Sequence, residues 1–218
     1  MAADSEPGDH PSTAKPTAKK SGSSKTSSSR LFSEVTRTSV FGLEGQGSTF
    51  VYLFDRSGSM SDFDGRPLAA AKAELLKSLQ VLHATNQFQI IFYNHELASF
   101  NPYHPQPPRL MFGDERTKEQ AEQFVRQIRA NGGTRHVEPL KLALRLAPDV
   151  VFFLTDAAEP ELTVQQLEEI ARLNRGTVIQ AIEFGVGSPA GRDNFMMKLA
   201  RQSGGRYVYV DVTQLPNR

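Results

Sequence analysis

Two short segments, FVYLF at 50–54 and VVFFLT at 150–155, are apolar or β-favouring at every position. Runs of this kind have no polar face to turn to water, so each reads as a strand covered on both sides. The first run is followed by GRPLAAAKAELLKSLQVLH, where Leu68, Ala71, Leu75, Leu79 and Leu82 recur on one helical face and Pro67 suits the first turn. A buried strand feeding a helix, repeated along a chain, restricts the fold to parallel strands joined by right-handed crossovers. The expected class is therefore α/β: a doubly wound, mostly parallel central sheet with helices on both faces.

The remaining pattern agrees with this class. QFQIIFYN reads as a second strand, ELASF as a short strand folded back against it, and NPYHPQPPR as a proline-rich loop. TKEQAEQFVRQIRANGG is expected to be a helix opened by a Thr117/Gln120 capping box, with Ala121, Phe124, Val125 and Ile128 inward and glycines at its end. VEPLKLALRLA reads as a short helix, TVQQLEEIARLNRG as a helix capped by Thr163 with Gln166, TVIQAIEFGVG as a strand, RDNFMMKLARQSG as a helix and RYVYVDV as a final strand. Before the first buried run, TSVFGLEGQGSTFVYLF suggests two extended stretches around a Gly-rich turn, and residues 36–47 are expected to add a strand or hairpin to the domain.

From Pro11 to Arg30 the chain is almost entirely Ser, Thr, Ala, Pro, Gly and Lys, and Lys15, Lys19, Lys20, Lys25 and Arg30 face no acid. Such a segment cannot bury enough apolar surface to offset its ordering entropy. Residues 1–33 are thus expected to form a disordered tail, either a solvated linker or a tether to an acidic surface, with residues 34–218 as one domain. The formal net charge is +1, which lacks the basic excess that nucleic-acid binding draws on. With no cysteine, disulfides, thiolate zinc sites and cysteine nucleophiles are excluded. No apolar run approaches the ~20 residues of a membrane helix, and MAADSEPGDHPSTAKP lacks the apolar core of a signal peptide. The expectation is a cytoplasmic protein without membrane insertion or nucleic-acid partners.

In open α/β sheets ligands collect outside the carboxyl ends of the strands, where strand order reverses. Three separated segments should arrive there: Asp55, Ser57 and Ser59 after the first buried strand, Thr134 in the turn NGGTRH, and Asp156 after VVFFLT. Each has a local explanation as an Asx turn or a helix cap. Taken together, two carboxylates converging on one crevice would repel, and a divalent cation offsets that repulsion. Hard cations such as Mg²⁺ favour oxygen ligands in near-octahedral geometry, and short side chains at alternate positions past a rigid strand can point to one spot.

These residues, DRSGS at 55–59, the threonine of GGT at 134 and the aspartate of TD at 156, resemble the metal ion-dependent adhesion site of von Willebrand factor A domains. The resemblance extends over about residues 36–213 in the order of strands, helices and site segments. It implies that Ser57, Ser59 and Thr134 supply hydroxyl ligands, and that Asp55 and Asp156 bind Mg²⁺ (or Mn²⁺ or Ca²⁺) directly or through water. One position would remain for an Asp or Glu of a partner protein, making the chain a non-enzymatic binding module. Members of the family often have glycine at the position of Ala157 and usually close with a helix, whereas only TQLPNR follows RYVYVDV here.

The alternative is a Mg²⁺-dependent phosphotransferase or phosphatase with Asp55 as nucleophile. That chemistry usually has a second aspartate two residues on, where this chain has Ser57. His136 reads as a polar residue at a helix start rather than a general base. Asp62 and Asp64 read as a solvated acidic loop or support for a second cation, His83, His95 and His104 have no zinc spacing, and GVGSPAG only partly matches a dinucleotide loop.

Overall fold

The computed structural model describes residues 34–157, 160–189, 191 and 193–216; the expected tail, residues 1–33, lies outside the described residues. In chain order the strands are β1 (Thr36–Val40), β2 (Leu43–Gly47), β3 (Thr49–Asp55), β4 (Gln87–Tyr93), β5 (Leu97–Ser99), β6 (Met111–Phe112), β7 (Val150–Thr155), β8 (Val178–Gly185) and β9 (Tyr207–Asp211). The helices are α1 (Asp62–Gln80), α2 (Glu115–Gln127), α3 (Val137–Arg145), α4 (Val164–Leu173) and α5 (Phe195–Gln202).

The two uniformly apolar runs lie side by side as β3 and β7, in parallel register with Phe50 beside Val150 and Phe54 beside Leu154. The sheet runs β5-β4-β3-β7-β8-β9, with β6 also pairing β4. β5 and β6 are antiparallel to β4, and the other neighbours are parallel. Since α1 carries the chain from β3 to β4 on one side while β7 adds on the other, strand order reverses between β3 and β7.

Alternation along β3 splits the core into two layers. Phe50, Tyr52 and Phe54 pack with Leu68, Ala71 and Leu75 of α1 and with Ala121 and Val125 of α2. Val51 and Leu53 face Leu140 and Ala143 of α3, Ile170 of α4 and Leu199 of α5. Helices thus cover both faces of a three-layer α/β sandwich, as the sequence implies.

Two details of α2 differ from the sequence reading. α2 begins two residues before Thr117, because Asp114 is its cap: the carboxylate accepts from Thr117 N at 3.0 Å and from Thr117 Oγ1 at 2.8 Å. The Thr117 hydroxyl is therefore a donor to the cap and not the cap itself. α2 also stops at Gln127 rather than at the glycines, since Ile128 is extended and Asn131 N turns to the Arg56 carbonyl. As read from the sequence, the regular part of α1 starts after Phe63, Asp64 and Gly65, which are all left-handed (φ 51, 59 and 75), so Pro67 falls in its first turn.

The N-terminal segment forms not two but three extended stretches, with β1 and β2 paired antiparallel around Phe41 and Gly42 as a separate hairpin. It lies on the α1 side of the sheet. Thr38 Oγ1 is 2.6 Å from Ser78 Oγ of α1, which is 2.7 Å from the Tyr52 hydroxyl. Val40 and Leu43 enter the core, and Phe41 stands edge-on to Phe184 at 5.1 Å. After β9, the 3-10 turn Val212–Gln214 brings Val212 into the same cluster.

Candidate metal centre

β3 ends on Asp55 because the side chain finds two donors where the strand stops. Its Oδ1 accepts from Ser57 N at 2.7 Å in an Asx turn, and its Oδ2 accepts from Thr155 Oγ1 of β7 at 2.7 Å. The residue is fully buried. Burial pushes the carboxyl up to about 6, against the hydrogen bonds from Thr155 and Ser57 and with a further push from the negative charge of Asp156.

Ser57 and Ser59 follow in a tight turn with their hydroxyl oxygens 3.2 Å apart. Ser57 is buried and precedes the 3-10 turn Gly58–Ser61 without capping it through its side chain. Asp156, just beyond β7, lines a cavity together with Ser59. The Thr134 loop is tied by its backbone to the ends of the neighbouring strands β3 and β4: Gly58 N donates to Gly132 O at 2.9 Å, and Arg135 N to Asn94 O at 3.1 Å. Gly132 permits this approach, since it is left-handed (φ 72) and a Cβ there would lie 2.3 Å from the His95 ring. His136 occupies the N-cap position of α3, so Thr134 does not spend its hydroxyl as that cap.

All five sequence-derived candidates, Asp55, Ser57, Ser59, Thr134 and Asp156, thus lie on segments gathered at the β3/β7 switch point. The donor set is oxygen only, with two carboxylates and three hydroxyls, and a sealed carboxyl beside a second negative charge is the environment a hard cation offsets. The residues present fit a divalent ion. Among the described residues no cluster of three or more His, Asp or Glu side chains is placed to hold a metal ion, so any binding at this site draws on its hydroxyls as well as its two carboxylates.

His136 starts a helix, as its position suggests, but the sequence gives no sign of how deeply it lies. The ring packs among Tyr93, Phe153 and Phe195, its Nδ1 lies 3.0 Å from the Tyr93 hydroxyl, and burial drops it to about 4. GVGSPAG does not run into a helix: α5 opens at Phe195 under an Asn194 cap. Ala157 is left-handed with φ 49, which gives the glycine often found there a physical reason. Ala157→Gly is expected to raise the melting temperature by about 1–2 °C through strain relief, and an unchanged or lower value in thermal unfolding would count against strain at this position.

The chain belongs to the von Willebrand factor type A domain family, whose model matches residues 49–209. Among curated proteins none matches it. Among solved structures it is similar to a von Willebrand factor type A protein from Catenulispora acidiphila, with 20% identity and a TM-score of 0.60 over 84% of this chain and 46% of that one. It thus spans about half the length of that relative. The conserved hypothetical protein BatB from Bacteroides thetaiotaomicron is similar at 18% identity and a TM-score of 0.57, over 76% of this chain and 91% of that one. A third, proximal thread matrix protein 1 from the mussel byssus, was solved with a zinc-occupied adhesion-site motif; it is 15% identical with a TM-score of 0.54, over 77% of this chain and 45% of that one. These likenesses concern the fold. Among the described residues no helix is long and apolar enough to cross a membrane.

Proposed function

We propose that this domain is a non-enzymatic, divalent-metal-dependent protein-binding module that takes an acidic side chain of a partner protein. The observation that carries the reading is Asp55: fully buried at the switch point, it is held by Ser57 N and Thr155 Oγ1 beside a second carboxylate. Ser57, Ser59 and Thr134 are the hydroxyl donors of the set, and Asp55 and Asp156 carry its negative charge. When bound, Mg²⁺, or Mn²⁺ or Ca²⁺ in its place, supplies Lewis-acid attraction for an external carboxylate, and neutral hydroxyls leave that attraction largely unquenched. The zinc seen at the corresponding motif of the byssus protein supports a divalent ion here.

The chain's own residues serve holding rather than bond cleavage. Ser57 stands where an acid/base aspartate would be needed, and the His136 imidazole is enclosed by aromatic rings. The reading is tested by thermal unfolding with EDTA or Mg²⁺, paired with a Mg²⁺-dependent pull-down. A ligand at 100 times its Kd stabilises by about 2.7 kcal/mol, so wild type is expected to gain several degrees and Thr134→Ala much less. Absence of any divalent-dependent shift in wild type would sink the proposal.

A further inference from the structure

Next to the metal centre lies a cavity of about 80 Å³ that shares two of its walls, Ser59 and Asp156, with the candidate ligand set. Its interior is apolar: Met60, Phe184 and Val212 are all buried core residues that reach it. Its rim carries Phe63 and Val186, 36% and 62% exposed. Both present apolar surface to water at the cavity mouth.

Phe63 is kept there against backbone preference. It opens the run of three consecutive left-handed residues ending at Gly65, and a bulky residue in that region is an outlier. Left-handed conformation is strained for an L-residue, and such strain persists where surrounding structure enforces it, often at ligand clamps. Here Arg66 lies over the Phe63 ring at 5.4 Å and its Nε donates to the Phe63 carbonyl at 3.0 Å, fixing the loop with the ring at the cavity mouth.

Resting on the metal-site reading above, we infer that this cavity is a specificity pocket for an aliphatic side chain adjacent to the partner's carboxylate. Because Ser59 and Asp156 belong to both, a residue next to a carboxylate presented to the ion lies within reach of the cavity. Size selects what enters: sites enclosing a whole small molecule run to ~300–1,000 Å³, and a void of about 150 Å³ accommodates benzene. The present cavity, open on one side, has room for one side chain of the size of Val, Leu, Ile or Met. Charge selects in the same direction, since Asp62 and Asp156 on its wall repel a second acid.

The test pans a random hexapeptide library containing one fixed glutamate against the full chain, in Mg²⁺ and in EDTA. Mg²⁺-dependent binders are expected to be enriched in Val, Leu, Ile or Met next to the glutamate. Replacing that residue by serine in a leading peptide is expected to weaken binding about tenfold or more, the loss of one buried aliphatic side chain. Val186→Ser and Phe63→Ser are expected to erase the preference while leaving the Mg²⁺-induced rise in melting temperature intact. Mg²⁺-dependent binders without aliphatic enrichment, a preference that survives both substitutions, or no binders despite a normal Mg²⁺ shift would each overturn the pocket and leave the metal reading standing. Loss of the Mg²⁺ shift in wild type would overturn both.

Discussion

Asp55→Asn is expected to make the domain more stable in EDTA and to abolish its stabilisation by Mg²⁺. The usual outcome of replacing a buried, hydrogen-bonded carboxylate is loss of stability, so the sign is diagnostic. Asp55 has an ordinary carboxyl value of 3.8 when exposed and about 6 in the fold, chiefly because burial opposes its charge. A group raised in this way adds stability that is complete below 3.8 and is lost as pH climbs through about 6. At pH 7.5 without a cation the ionised carboxylate is therefore a net burden, at most about 3 kcal/mol at 1.36 kcal/mol per unit. Asparagine keeps an acceptor for Ser57 N but must place its amide hydrogens against the Thr155 hydroxyl, which already accepts from Ala157 N at 3.1 Å. Allowing for that, a net gain of about 1–2 kcal/mol is expected. Chemical denaturation at pH 7.5 in EDTA measures it, and repeating the titration in Mg²⁺ should show wild type overtaking the variant. A variant less stable than wild type in EDTA would mean that Asp55 is a structural cap whose charge the fold tolerates without a cation.

The parts of the molecule that could be read from sequence are those in which one physical requirement dominates. Phe50 to Phe54 must be covered on both sides whatever the surroundings, and they are. Thr163 and Gln166 satisfy each other across the first turn of α4, a local bargain that needs no tertiary partner. Thr117 and Gln120 show the same pattern but lose to Asp114, a stronger acceptor three residues earlier whose signal, Asp followed by Glu-Arg-Thr, was present in the sequence. The candidate ligands were legible because each sits just past a readable strand or turn, and topology gathers the strand ends. What was illegible depends on distant packing. The left-handed turn at Phe63 to Gly65 and the burial of His136 among rings from β4, β7 and α5 leave no trace in local composition. Nor could β6, two residues long, be told from loop.

Gly45→Val is expected to destabilise the whole domain by about 3 kcal/mol, at the upper end of what overpacking costs. Gly45 lies where β2 crosses β7, and a Cβ there would meet Phe152 Cζ and Val150 Cγ1, each at 2.8 Å. Neither neighbour can yield, because Val150 and Phe152 are buried strand residues in the main core cluster and Phe152 stacks on Tyr52 at 5.6 Å. The hairpin must therefore lift, and its other anchors resist lifting. Thr38 and Tyr52 share the Ser78 hydroxyl, Gln180 Nε2 donates to Glu44 O at 2.7 Å, and Thr36 Oγ1 donates to Asn86 Oδ1 at 2.7 Å. Separation would strand these buried polar groups at roughly 1–3 kcal/mol each, so the strain spreads into the sheet instead of being shed by a local opening. Urea unfolding is expected to remain one cooperative transition with an unchanged slope and a lower midpoint. A separate early transition that removes only the hairpin signal, with the Mg²⁺ shift preserved, would show that residues 36–47 are an appendage. A single lowered transition makes them part of the cover that holds β7, and with it Asp156, in place.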